Sequence, residues 1–277
     1  MYSDRQGKKA PMSILAAFAV PHPPLIIPTV GRGEERAIQN TIDAYNKVGE
    51  TIAELAPELI IVSSPHATAY RDFFHISPGS HAQGSLVQFR SPSRIEVDYD
   101  EEFTTALSAL CEQEKFPAGT SYERDKNLDH ATFVPLWFIN KFYTSYKIMR
   151  VGLSGLSANM HYHLGELINQ TVEKLNRPAV YVASGDLSHK LLEEGPYGFA
   201  PEGPIFDEQI THMMDEGDFQ GMLGFDESFC DRAAECGLRS FQIMAGALDG
   251  KKVKPKLLSY EGPFGVGYGV AQFIAEQ

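Results

Sequence analysis

The 277-residue chain carries 36 Asp and Glu against 24 Lys and Arg, a formal net charge of -12 spread along its length. That balance argues against partners such as nucleic acid or an anionic membrane. The early apolar run Ile14–Val20 falls far short of the about 20 residues a membrane span needs, and no small-residue cleavage site follows the polar start Met1–Lys9. A soluble, cytoplasmic protein is expected. Cys111, Cys230 and Cys236 lack C-x-x-C spacing, which argues against a disulfide framework or a structural zinc knuckle.

Met1–Pro11 reads as a flexible extension, with Met12 a plausible native start. Ile14–Val20 then forms a continuous apolar run stopped by Pro21, as expected of a strand covered on both faces. After Gly31 and Gly33, Ile38, Ile42, Tyr45, Val48, Ile52 and Leu55 recur at helical steps, and Pro57 closes the pattern. Leu59–Ser64 is a second buried strand. Leu86–Arg90 and Ile95–Val97 read as short strands flanking Pro92, followed by a helix from about Asp100 to Gln113. Phe133–Phe142, with Trp137 inside it, reads as a buried helix holding Pro135 in its first turn.

Lys147–Leu153 is a third strand, and Ser157 or Asn159 caps the helix after it. Ala179–Ala183 is a fourth strand. The proline- and glycine-rich stretch Glu193–Pro204 is a loop, and Asp231–Leu248 reads as one helix with Ala234, Leu238, Phe241 and Ala245 on a stripe. Strands near Leu257–Tyr260 and Gly267–Phe273 finish the chain. The fold expected is a single α/β domain over residues 12–277, its central sheet mostly parallel or mixed and flanked by helices.

Sheets of this kind bind ligands beyond the carboxyl ends of their strands. Three strands here deliver a histidine just past that end: His22 in Pro21-His22-Pro23, His66 after Pro65, and His189 closing Ser184-Gly185-Asp186-Leu187-Ser188-His189. The flanking prolines stiffen the backbone at His22 and His66, and preorganisation favours a metal ligand. His130 follows Asp129, a candidate helix cap, and points from a helix start toward the same crevice. His161, His163, His75, His81 and His212 read as solvated.

A carboxylate would complete an iron site. Glu235 is the first candidate, on the shoulder of the Asp231–Leu248 stripe, where a charge is costly unless paired or coordinated. Glu261 is the runner-up, and Cys236 is an alternative ligand suited to copper or zinc. Gly265-Val266-Gly267-Tyr268-Gly269 lacks the following helix of a dinucleotide fingerprint, Gly152-Leu153-Ser154-Gly155 lacks the spacing of a nucleophile elbow, and no P-loop occurs.

The segments VPHPPLIIPTVG, SSPHA, LDHATFVPLWF, SGDLSH, AECGLRSFQIMAGAL and SYEGPFGVGYGVA, in this order, resemble class III extradiol ring-cleavage dioxygenases of the catalytic subunit-B type. The likeness spans nearly all of Ile14 to Gln277 and is strongest to the branch linked with Memo-like and radical-SAM proteins. It implies an Fe(II) site of His22, His66 and Glu235, with His189 as acid/base and His130 as a further active-site histidine. Zinc or another divalent metal could occupy the purified protein. The implied substrates are a small aromatic diol and O2, and a homo-oligomer or small accessory subunit is compatible with the family. Glu235-Cys236-Gly237 also resembles the cysteine motif of Memo-like proteins. Two rival expectations therefore stand: a Memo-like metal-binding or interaction protein, and a zinc hydrolase on the same ligands.

Overall fold

The computed structural model describes residues 13–122 and 127–276. The expected extension Met1–Pro11 lies outside the described residues. The chain opens with β1 (Ile14–Val20), α1 (Pro28–Gly31), α2 (Gln39–Leu55), β2 (Leu59–Ser64), β3 (Phe74–His75), β4 (His81–Ser85), β5 (Arg94–Asp98) and α3 (Glu101–Gln113). There follow β6 (Ala118–Gly119), β7 (Asn127–Leu128), α4 (His130–Ile139), β8 (Lys147–Gly152), α5 (Ala158–Leu175) and β9 (Ala179–Ser184). The last elements are α6 (Glu202–Glu216), α7 (Glu227–Ala233), α8 (Leu238–Ala247), β10 (Val253–Glu261) and β11 (Tyr268–Ala275).

Six strands form the central sheet in the order β10-β11-β1-β9-β2-β8. β1, β9, β2 and β8 run parallel, and β11 joins β1 antiparallel, so the sheet is mixed. The middle strands are apolar on both faces because helices cover both. Ala17 and Ala19 face the layer of α3, α5 and α8, while Ala16, Phe18 and Val20 face that of α2 and α4. Fully burying Phe18 and Val20 contributes roughly 1.5–3 kcal/mol each. Three adjacent parallel strands, β1, β9 and β2, thus end together, and their carboxyl ends are where the histidines emerge. Among the described residues no helix is long and apolar enough to cross a membrane.

Four local readings are corrected. The helix expected over Phe133–Phe142 runs His130–Ile139, so Pro135 lies in its second turn and not its first. Leu86–Arg90 is not a strand: Val87–Phe89 is a single 3-10 turn joining β4 to β5, with Arg90 left-handed at φ 58°. The stretch Glu193–Pro204 ends early, because α6 begins at Glu202 with Pro204 in its first turn, where a missing N–H costs nothing. Asp231–Leu248 is two helices, broken at Ala234, which is left-handed at φ 52°. The break lies where Gly237 meets the turn after β9: a Cβ on Gly185 would fall 2.1 Å from the Gly237 Cα. Two backbones touch there, and a continuous helix could not admit the contact.

Candidate metal centre and active site

His22 follows β1 and is 2% exposed. Its backbone N–H donates to Asp186 Oδ1 at 2.7 Å, its Nδ1 lies 3.1 Å from Ser184 Oγ, and its Nε2 lies 3.8 Å from Cys236 Sγ. The Tyr45 hydroxyl donates to the Pro21 carbonyl just before it, fixing the chain on the α2 side. His66 follows β2 at the exposed mouth of the site, with its backbone N–H donating to Ser64 Oγ at 3.2 Å. His130 is the first residue of α4. Asp129 caps that helix, accepting the Thr132 N–H at 3.0 Å, and also takes the Ser64 hydroxyl at 2.7 Å and Arg150 at 3.3 Å.

These three imidazoles converge. Ring centroids are 5.0 Å apart for His22 and His66, 4.2 Å for His66 and His130, and 5.5 Å for His22 and His130. One ligand atom of each lies within 4.8 Å of the others, the one such group of three among the described residues. Burial pushes the His22 pKa well below its ordinary value, helped by His66, His130 and His189 nearby. Burial likewise lowers His130 to about 4, assisted by His66 and opposed by Asp129. Desolvation lowers His66 too, again opposed by Asp129. The cluster is therefore neutral near pH 7, the protonation state in which imidazole binds a metal.

His189 ends the turn after β9. Its Nδ1–H donates to the Ala234 carbonyl at 2.7 Å, and burial holds its pKa below the ordinary value. Tyr197 packs edge-on at 5.1 Å between ring centroids, so the loop Glu193–Pro201 lies directly beside this histidine. Phe89, from the turn between β4 and β5, packs edge-on against His130 at 5.5 Å.

The carboxylates are placed differently from one another. Glu235 lies in the linker between α7 and α8, not on a helix, and its Oε2 accepts the first N–H of α8, that of Leu238, at 2.7 Å, just ahead of which Gly237 is the N-cap residue. Burial raises its pKa to about 7. It is not among the three clustered ligands. Glu261 stands at the start of α2, where it accepts the Thr41 N–H at 2.8 Å, the Thr41 hydroxyl at 2.7 Å and Asn40 Nδ2 at 2.9 Å. Cys236 accepts the Asp186 N–H at 3.3 Å, and burial pushes its thiol well above the ordinary pKa. A cavity of about 370 Å³ adjoins this side, bounded by Pro65, Ser154, Glu235, Cys236 and Arg239.

Among the other histidines, His161 is fully buried and His75 is 3% exposed, contrary to the solvated reading. His161 Nδ1–H donates to Ser157 O at 2.9 Å and its Nε2 accepts the Ser154 N–H at 3.4 Å, a polar plug at the start of α5. His75 Nδ1 lies 3.1 Å from the Ser121 carbonyl. Sequence reasoning passed over Ser184, Asp186 and Ser64, though Ser-Gly-Asp at the end of β9 was there to be read.

The profile of the family described as the catalytic LigB subunit of aromatic ring-opening dioxygenase matches residues 16–271. The chain belongs to this family. Among curated relatives, Protein CA_C1420 of Clostridium acetobutylicum is 39% identical over 272 residues, covering 95% of this chain but 58% of that protein. This chain therefore spans little more than half the length of that relative. The 2-aminophenol 1,6-dioxygenase beta subunit of a Pseudomonas species is 25% identical, covering 94% of this chain and 93% of its own. The 3,4-dihydroxyphenylacetate 2,3-dioxygenase of Escherichia coli is 23% identical over 80% of this chain and 84% of that enzyme. The crystal structure of an uncharacterised Escherichia coli K12 protein, JW3007, shares the fold, with a TM-score of 0.62 at 15% identity over 93% of this chain and 99% of that one.

Proposed function

We propose that this protein is an Fe(II)-dependent extradiol dioxygenase that opens the ring of a catechol-type substrate with O2. The observation that carries the reading is the convergence of three neutral imidazoles, His22 after β1, His66 after β2 and His130 at the start of α4, with ligand atoms within 4.8 Å of one another. Neutral nitrogen donors crowded together gain most from a shared cation, and a divalent metal fits them. In this reading His22 and His66 would hold the metal and Glu235 would supply the carboxylate of a two-histidine, one-carboxylate set suited to non-haem iron. When bound there, Fe(II) would supply a common site for diol and O2 and a path for electrons between them.

The chain's own residues do the remainder. Because the Nδ1–H of His189 is committed to Ala234, its Nε2 lone pair is the one free to take a proton from a substrate hydroxyl and to return it. Phe89 packs on His130 and Tyr197 on His189, each from a loop, and both rings could border a planar substrate. His130 supports the bound substrate from the start of α4. An accessory subunit or a homo-oligomer and a cytoplasmic site of action belong to the same reading, the former in keeping with the beta-subunit name of one relative.

A second reading is favoured by the grouping of His130 with His22 and His66. In it His130 is the third ligand and Glu235 keeps its hydrogen bond to the first N–H of α8. Anaerobic reconstitution with Fe(II), followed by oxygen uptake against a panel of catechols and aminophenols, tests the activity. Uptake with appearance of a ring-opened product is expected. Absence of uptake across the panel with iron bound would leave a Memo-like binding role. Iron loss in Glu235→Gln or in His130→Gln then decides the third ligand.

A further inference from the structure

Two serines end adjacent strands and reach the same helix start. Ser64, closing β2, donates its hydroxyl to Asp129 at 2.7 Å and accepts the His66 backbone N–H at 3.2 Å. Ser184, closing β9, donates its hydroxyl to the Ala131 carbonyl at 2.7 Å and lies 3.1 Å from His22 Nδ1. Each serine therefore ties one strand-borne histidine to the residues on either side of His130.

The Ser184 link carries chemical information that the Ser64 link does not. In an α-helix the Ala131 carbonyl would accept the N–H of residue 135, but that residue is Pro135 and has none. The carbonyl is left for the Ser184 hydroxyl, whose single proton is thereby used. Ser184 is fully buried, so no bulk water competes for it. Its oxygen can then only accept from His22, which requires the proton of the neutral imidazole to sit on Nδ1. Asp186 Oδ1, at 3.9 Å from Nδ1, is too far to take that hydrogen bond. The opposite tautomer would turn the Ser184 proton toward His22 and leave a buried carbonyl without a donor.

We infer that Ser184, aimed by the carbonyl that Pro135 frees, is a positioning residue that locks His22 as the Nδ1–H tautomer and leaves its Nε2 lone pair for a metal. The purpose of this device rests on the metal reading above, but the tautomer itself does not. A metal-ligating histidine is commonly fixed through its other nitrogen. Here the fixing group is a hydroxyl steered by a missing helical hydrogen bond.

The test is 15N NMR of histidine-labelled, metal-free full-length protein at neutral pH, with the His22 signals assigned by His22→Gln. The parent should show Nδ1 protonated and Nε2 bare. Ser184→Ala, which removes the acceptor without adding bulk, should shift His22 toward the Nε2–H form. Ser63→Ala deletes a buried hydroxyl on β2 that pairs with Ser240 at 2.6 Å, and it should leave the tautomer as in the parent. An unchanged tautomer in Ser184→Ala, or an equal change in Ser63→Ala, overturns the inference. In a second arm, Fe(II) or Zn(II) affinity should fall about 10–100-fold in Ser184→Ala, the usual cost of losing such a partner. If the parent binds neither ion yet its tautomer switches as expected, the metal reading fails and the positioning role stands.

Discussion

Cys236 Sγ stands 3.8 Å from His22 Nε2, while the adjacent Glu235 spends its Oε2 on the Leu238 N–H. Two neighbouring residues of one linker thus face the candidate centre in different ways, and the difference separates the dioxygenase reading from the Memo-like one. Burial, Asp186 and Glu235 all push the Cys236 thiol up, so it is protonated at pH 7. The metal-free protein should therefore alkylate Cys236 far more slowly than an exposed thiol, and Cys236→Ser should retain full iron stoichiometry. Loss of iron in that variant, measured by metal analysis, makes Cys236 a ligand and favours the Memo-like alternative.

His189 is expected to act on protons and not to hold metal. His189→Ala should keep its iron, while turnover falls roughly 10²–10⁴-fold, the usual worth of a positioned proton-transfer group. Because burial lowers its pKa, the acidic limb of the parent's pH–rate profile should lie below the ordinary histidine value, and the variant should lose that limb. Iron lost together with activity would make His189 a ligand.

Arg150 and Asp129 form a pair at 3.3 Å with side chains 5% and 12% exposed. The guanidinium also donates to Ser77 Oγ at 2.7 Å and to the Asn127 carbonyl at 3.0 Å. Arg150→Met removes the cation and leaves the partly buried carboxylate that caps α4. Urea unfolding should register a loss of about 3–5 kcal/mol, the cost of breaking a buried pair from one side. A change within experimental error would mean that the other donors to Asp129 suffice.

Asp207 links the turn after β9 to β10, accepting the Ser188 N–H at 2.8 Å and the Tyr260 hydroxyl at 2.7 Å. Burial raises its pKa from 3.8 to about 7. A folded-state pKa above the unfolded one means that its stabilising contribution is complete below 3.8 and is lost as pH rises toward 7. Asp207→Asn should remove that loss, so parent and variant should differ in slope by up to about 1.4 kcal/mol per pH unit across this window. Parallel stability curves would show that Asp207 titrates as it does in the unfolded chain.

The three strands that build the site were legible because Ile14–Val20, Leu59–Ser64 and Ala179–Ser184 are apolar runs buried on both faces. His22 and His66 were legible for the same reason, since each follows its strand within two residues. The break between α7 and α8 was not, because the helical stripe runs through Ala234 and Leu238 without interruption. What breaks it is backbone contact between Gly237 and Gly185, set by a strand remote in sequence. The burial of His161 and His75 is likewise a tertiary outcome with no local signature. Ser184 went unread because its importance depends on Pro135 lacking an N–H almost fifty positions away.

The histidines at the ends of β1 and β2 are expected to bind a metal. Anaerobic Fe(II) titration of the parent, His22→Ala and His66→Ala, with iron counted per chain after gel filtration, tests it directly. One iron per chain is expected in the parent and none in either variant, with both variants still folded by circular dichroism. Equal iron in all three proteins would contradict it.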